Sequence, residues 1–262
     1  MNSNGLEWDK VKQLSIIQML LATFVPSGVA FIGFHFIAPT LVDAGMSKIY
    51  SWAIIAIIML LVLVIFAIIL LQKEAKQLGI TIYERMCFKK VPGKLWIISI
   101  VIMLGSLITV SGAQLMIPPI LKAINFTIPS YTPFFLNPTI DPLTVDLSVI
   151  DQNIIFKGNY LLVFIMAVAL ILNILAEELF FRAWMLPKSS SFGKWAWVIN
   201  GALFALYHTF QFWLFPALIV SSLAMAFVFY KTKSIWPSLI GHFIGNFVIS
   251  IMSILLLVMG LA

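Results

Sequence analysis

Long apolar runs separated by short polar ones set the rhythm of the chain. Residues 14–42 form the first run, with Pro26 and Gly28 inside it, and 50–71 form an almost uniformly aliphatic second. Further runs cover 95–121, ending at Pro118-Pro119, then 160–186, 195–210, 212–230 and 235–262. Several exceed the roughly 18 residues that a helix needs to cross a bilayer. The pattern predicts an all-α fold, a polytopic transmembrane helical bundle of seven spans. A break of the first run at Pro26, or of the last at Gly241 or Gly245, would make eight, and the two prolines are expected to disturb the end of the third. No small-residue cleavage site follows a short apolar core, so the first run reads as an uncleaved span. The organisation expected is a three-span region at 1–121, a polar loop at 122–159 and a four-span region at 160–262. There is no internal repeat, which gives an inverted-repeat transporter little support.

Composition agrees with lipid as the outer solvent. Of 262 residues 62% are hydrophobic and 10% charged, against about a quarter charged in a soluble domain, and mean hydropathy is +1.08. The net charge of +6 would suggest nucleic acid in a soluble protein, but here the lysines collect in loops and report topology instead. The 72–94 segment holds Lys73, Lys76, Arg85, Lys89, Lys90 and Lys94 against Glu74 and Glu84, which marks it as cytoplasmic. The 122–159 loop carries Asp141, Asp146 and Asp151 against Lys122 and Lys157 and is assigned to the outer side. A multi-pass integral membrane protein follows, with its N-terminus in, its C-terminus out, and Lys188, Lys194, Lys231 and Lys233 all inside. Cys87 is the one cysteine, so an internal disulfide and a cysteine-based zinc site are excluded.

Ten carboxylates exist, and only Glu177 and Glu178 fall within a predicted span. At roughly 2.5 to 3.5 kcal/mol each, the pair opposes insertion by about 5 to 7 kcal/mol unless something compensates. Helical spacing puts Arg182 on the face of Glu178, which predicts an ion pair at the membrane edge. Glu177 points about 100° away, with Asn173 one turn earlier on its own face. All three histidines, His35, His208 and His242, also lie in spans, and Asn246 shares a face with His242. Each residue has a plain structural reading: Asn173 as interhelical glue, the histidines as hydrogen-bonded packing residues. Depth argues otherwise for most of them, because counting about 1.5 Å per residue from the cytoplasmic ends puts Glu177, His208, His242 and Asn246 roughly 9 to 17 Å inside. Groups from three helices are therefore expected to meet in one cavity. His35, near the outer end of the first span, reads as structural, and Tyr131, Asn137 and the loop aspartates as solvated loop residues.

A carboxylate, histidines and an amide in a low-dielectric cavity reached from the cytoplasm suit water activation and oxyanion stabilisation, hence peptide hydrolysis within the membrane. The residues E-E-L-F-F-R at 177–182, F-A-L-Y-H at 204–208 and H-F-I-G-N at 242–246 resemble, in that order, the three motifs of the CPBP family. This family includes the CAAX prenyl endopeptidases and the Abi proteins of bacteriocin processing and immunity. The resemblance covers roughly 160–250. It implies that Glu177 activates water with His208 and that His242 and Asn246 stabilise the oxyanion; Glu178, Arg182 and Asn173 are read from helix spacing as their support. It also implies a peptide or membrane-protein substrate, either prenylated or a leader peptide, met at the lipid bilayer and without nucleic acid. Glu177, His208 and His242 would be the ligands of a zinc ion if one were bound. The chain has no H-E-x-x-H and no fixed ligand spacing, so the expectation is no metal and no cofactor, with zinc the alternative. Three classes stay open: an intramembrane endopeptidase, a non-catalytic immunity or scaffold protein, and a proton-coupled transporter.

Overall fold

The computed structural model describes residues 6–140, 151–247 and 251–261, and these are helical with no strand among them. The first helix, α1 (Ile16–Asp43), starts at a capping box in which Ser15 accepts from the Gln18 amide and Gln18 accepts from the Ser15 amide. It runs through Pro26 without a break and widens instead into a π-helical turn at Gly33–Ile37. There Gly33 lies against α2 (Lys48–Leu78), where a Cβ would come within 2.8 Å of the Ile55 side chain. Gly79 ends α2 with φ of 65°, a left-handed cap that a side chain would strain. α3 (Gly93–Ala123) continues past Pro118 and Pro119 to its end, so the prolines do not disturb it as expected.

α4 (Tyr160–Met185) is followed by α5 (Ala196–Tyr207), α6 (Phe215–Thr232), α7 (Ile235–Asn246) and α8 (Met252–Met259). Among the described residues five stretches are long and apolar enough to cross a membrane: α1 to α4, and α6 together with the 3-10 turns before it. The runs at 195–210 and 235–262 form shorter pieces. α5 and α7 have 12 residues each, about 18 Å of helix against a hydrocarbon core of about 30 Å. α5 stops early because the backbone leaves helical geometry at His208 (φ −86°, ψ 35°) and again at Gln211 (φ −141°). α7 passes through Gly241 and Gly245 unbroken, with Met103 of α3 packed where a Gly241 side chain would project.

The buried core is shared between the early and late helices. α2 packs along α4, and α6 packs along both α3 and α5. Close approach of α5 and α6 depends on Gly201, where a Cβ would meet the Leu223 Cα at 3.0 Å and the Ser222 carbonyl at 3.1 Å. Outward faces remain apolar, as with Ile17, Val62, Ile97, Ile108, Leu115 and Phe164. Such faces are stable only against lipid, so the chain is an integral membrane protein.

One end of the bundle is closed by a polar cluster. Glu74, near the end of α2, accepts from Arg85 Nε (2.8 Å), Lys188 Nζ (2.6 Å) and Trp184 Nε1 (3.1 Å), while Arg85 also donates to the Ala183 carbonyl. The loop aspartates at the other end differ from expectation. Asp151 is buried and accepts from the Ile49 amide at the start of α2, and its desolvation pushes the carboxyl above the usual range. Asp141 and Asp146 lie outside the described residues. Tyr131 donates to or accepts from His35 Nδ1 at 2.8 Å, and His35 Nε2 meets the Phe210 carbonyl at 2.8 Å, so His35 ties α1 to the turn after α5.

Cys87 is buried in the turn after Arg85, where its carbonyl accepts from the Ile235 amide, and desolvation pushes its thiol up to about 11. Since thiolate is the reactive form, Cys87 in the folded protein is expected to resist maleimide at pH 8 and to react once the chain is denatured. Rapid labelling of the native protein would contradict this packing.

Candidate active site

Residues from three helices, α4, α5 and α7, converge at Glu177. α4 is regular as far as Glu177 and π-helical over Glu178–Met185. The wider turn lets two adjacent carboxylates serve different neighbours, a use for which single π turns recur at functional sites. Both are buried, Glu177 to 2% exposure and Glu178 completely.

Glu178 is saturated. Its Oε2 accepts from Ser238 Oγ at 2.7 Å and its Oε1 meets His242 Nδ1 at 3.1 Å. Arg182 forms the expected ion pair across four residues, its Nε 3.9 Å from Glu178 Oε1, and also reaches the Asn200 Oδ1 at 3.2 Å, the Ser222 carbonyl at 3.5 Å and the face of Phe204 at 4.3 Å. The pair survives the π turn but is too long for a close charge-assisted hydrogen bond. Nor is the pair at an exposed edge, since both side chains are fully buried.

Glu177 is more open. Its Oε1 accepts from Asn173 Nδ2 at 2.8 Å, so it does have a partner on its own helix. Asn246 Nδ2 in turn donates to Asn173 Oδ1 at 2.8 Å, which joins α7 to α4. His208 Nε2 lies 3.5 Å from Oε1 and His242 Nε2 lies 3.5 Å from Oε2. The hydrogen bonds on the far side of each ring assign the tautomers. His208 Nδ1 sits 2.9 Å from the Phe204 carbonyl, an acceptor left over at the end of α5, so Nδ1 carries the proton. His242 Nδ1 faces the Glu178 carboxylate and carries one as well. Both Nε2 atoms are thereby turned toward Glu177.

These groups form part of the wall of a cavity of about 770 Å³, which also reaches Asn173, Asn246, Tyr207 and Gln211. The rest of the wall is chiefly apolar, including Trp52, Met59, Met103 and Val110. The lining extends to residues 134–138 and 140 of the long loop, Asn137 included, and takes in no residue from the basic segments 79–94, 188–195 or 231–234. The Glu74, Arg85, Lys188 and Trp184 cluster occupies that end instead. His35 does not line the cavity.

Several contributors were not singled out by residue type and spacing. Ser238 and Asn200 are visible only as partners of Glu178 and Arg182 in space. Tyr207 had a signal in its place immediately before His208.

No group of three His, Cys, Asp or Glu side chains is arranged to hold a metal ion among the described residues. The two Nε2 atoms face different oxygens of one carboxylate instead of a common point. The donor set therefore does not fit a zinc site as it stands, and no step below is routed through a metal.

Residues 159–248 match the family described as "Type II CAAX prenyl endopeptidase Rce1-like". This segment runs from the cap of α4 to just past α7 and contains the whole cluster; it is consistent with a protease of the CPBP/CAAX family. No curated protein and no solved structure matches the chain.

Removing the Glu178 charge should leave Arg182 and His242 without their anion. Glu178→Gln is expected to lower stability by about 3 kcal/mol, read as thermal unfolding in detergent. The double change Glu178→Gln with Arg182→Gln should recover part of the loss. An unchanged unfolding temperature in the single variant would show that Glu178 is not held as an ion.

Proposed function

We propose that the chain is an intramembrane endopeptidase in which Glu177 and His208 activate water for attack on a peptide bond. The convergence of His208 and His242 Nε2 on the two oxygens of Glu177, each at 3.5 Å in the cavity wall, carries this reading. A water held by Glu177 and the unprotonated His208 Nε2 adds to the scissile carbonyl carbon, and its proton passes to Glu177. The carbonyl π pair moves onto oxygen. On collapse the C–N bond breaks, Glu177 returns the proton to the leaving amine, and the products are a carboxylic acid and an amine.

His242 is placed to carry charge in this cycle. Glu178 stabilises its imidazolium form, whose Nε2–H then becomes a donor toward the oxyanion. Asn246 uses one N–H on Asn173 and retains a second for the same purpose. Asn173 holds the Glu177 carboxylate in register. Neither a scaffold nor a proton-coupled transporter gains a specific observation of its own. The immunity and leader-peptide readings draw on family resemblance alone.

The substrate class follows from the cavity and from the matched family. A peptide or membrane-protein segment would lie along an apolar wall broken by a few polar groups, and the prenyl chain of a C-a-a-X peptide would find Trp52, Met59, Met103 and Val110. We take seven crossings, with α5 and the α7 to α8 pair counted as two, and the N-terminus inside on the charge rule. The 134–140 end of the cavity then faces outward.

Cleavage is tested with a quenched fluorogenic peptide carrying a farnesylated C-a-a-X end. Glu177→Gln keeps the shape of the side chain and removes the base, so kcat should fall about a hundredfold or more. The parent's activity should survive prolonged chelation. Normal cleavage by Glu177→Gln would sink the mechanism; activity lost on chelation and restored by stoichiometric zinc would reassign His208 and His242 as ligands.

Orientation is tested in a Cys87→Ala background. A membrane-impermeant maleimide added to intact cells should label Lys122→Cys and spare Lys90→Cys. The reverse pattern would invert the topology and turn the cavity mouth to the inside.

A further inference from the structure

We infer that Tyr207 is a catalytic residue whose phenol donates a hydrogen bond to the oxyanion, an inference that rests on the endopeptidase reading above. Tyr207 ends α5 and is 3% exposed, with its ring held edge-on to His208 at 5.0 Å between centroids. Phe181 and Phe210 close round the same ring at 5.3 and 5.9 Å. The packing fixes the phenol's position, yet its hydroxyl has no hydrogen-bond partner among the described residues.

A buried hydroxyl without a partner is costly and therefore rare. Here the residue lines the cavity that holds Glu177, His208 and His242. The atom is not sealed in the core with the orphaned groups of Trp8, Thr23 and Ser222. It is a free donor at the surface where the substrate carbonyl must lie.

The remaining donors are committed before substrate arrives. His242 gives its Nδ1 proton to Glu178, and its Nε2 has none to offer until the ring is charged. Asn246 spends one of its two on Asn173. A neutral phenol supplies a donor that needs no prior protonation. During attack the water proton goes to Glu177 and the π pair to the carbonyl oxygen, which accepts the Tyr207 O–H bond without taking its proton. Collapse returns the pair to carbon, and Glu177 protonates the leaving nitrogen as before.

Tyr207→Phe deletes one oxygen and keeps the ring packing. Purified in detergent and assayed with the farnesylated reporter, it should lose about a hundredfold in kcat, with KM within about twofold of the parent. Its unfolding temperature should be unchanged or slightly higher, since an unpartnered polar atom has been removed. A reporter with an ester at the scissile position should show the same loss, because its oxyanion is the same while its leaving group needs no protonation. A kcat within about twofold of the parent would overturn the proposal, as would a loss confined to the amide reporter, which would make the phenol a proton donor to the amine. A loss that tracks a fall in unfolding temperature would also overturn it. If Glu177→Gln is inactive while Tyr207→Phe is not, the endopeptidase reading stands and Tyr207 is excluded. If both variants cleave like the parent, the reading fails and takes Tyr207 with it.

Discussion

Two adjacent carboxylates inside an apolar bundle are the constraint round which the rest of this structure is arranged. A buried anion must be paired and hydrogen-bonded or it will oppose folding by several kcal/mol, about the whole stability of a domain. Glu178 meets the demand with Ser238, His242 and a more distant Arg182. Arg182 then needs partners of its own, and it finds them in Asn200, the Ser222 carbonyl and the Phe204 face. The network reaches α5, α6 and α7 from a single residue of α4. Glu177 is held more lightly, by Asn173 and two imidazoles at 3.5 Å, and this contrast separates a carboxylate that secures the bundle from one with room to react.

Backbone irregularities place the groups. The π-helical stretch at Glu178–Met185 lets neighbouring residues address different helices, and the early end of α5 frees the Phe204 carbonyl that fixes the His208 tautomer. Gly201 brings α6 close enough for the Ser222 carbonyl to meet Arg182. At the opposite end of α1, His35 anchors the turn that follows His208 through the Phe210 carbonyl. None of these features is itself chemical, yet each sets the position of a polar atom in the cavity wall or just behind it.

Much of this was legible in the sequence because membranes simplify the reading. Apolar run length gives the long helices, and the cost of intramembrane charge points at Glu177 and Glu178 without any structure. Depth counting grouped Glu177, His208, His242 and Asn246, and all four line one cavity. What escaped depended on geometry that residue spacing does not carry. A four-residue period assigned Arg182 to Glu178 and the pair forms, but that period says nothing of Asn200 and the Ser222 carbonyl, which take the rest of the guanidinium. The runs at 195–210, already short, and 235–262 were each counted as one span, because composition does not register where a backbone turns at His208. Asp151 read as a solvated loop residue, since its partner, the Ile49 amide, lies 102 positions away. The closed basic end was hidden for the same reason: Glu74, Arg85 and Lys188 come from distant segments.

The central claim is that Glu177 acts on water and not on the peptide itself, and a single turnover in ¹⁸O-water tests it most directly. With enzyme in excess over a farnesylated peptide reporter, general-base catalysis places one ¹⁸O in the newly formed carboxyl of the product, and mass spectrometry of the Glu177 peptide finds none. A first-turnover product without ¹⁸O, together with label in the Glu177 carboxyl, would mean that Glu177 attacks as a nucleophile, and would contradict the account.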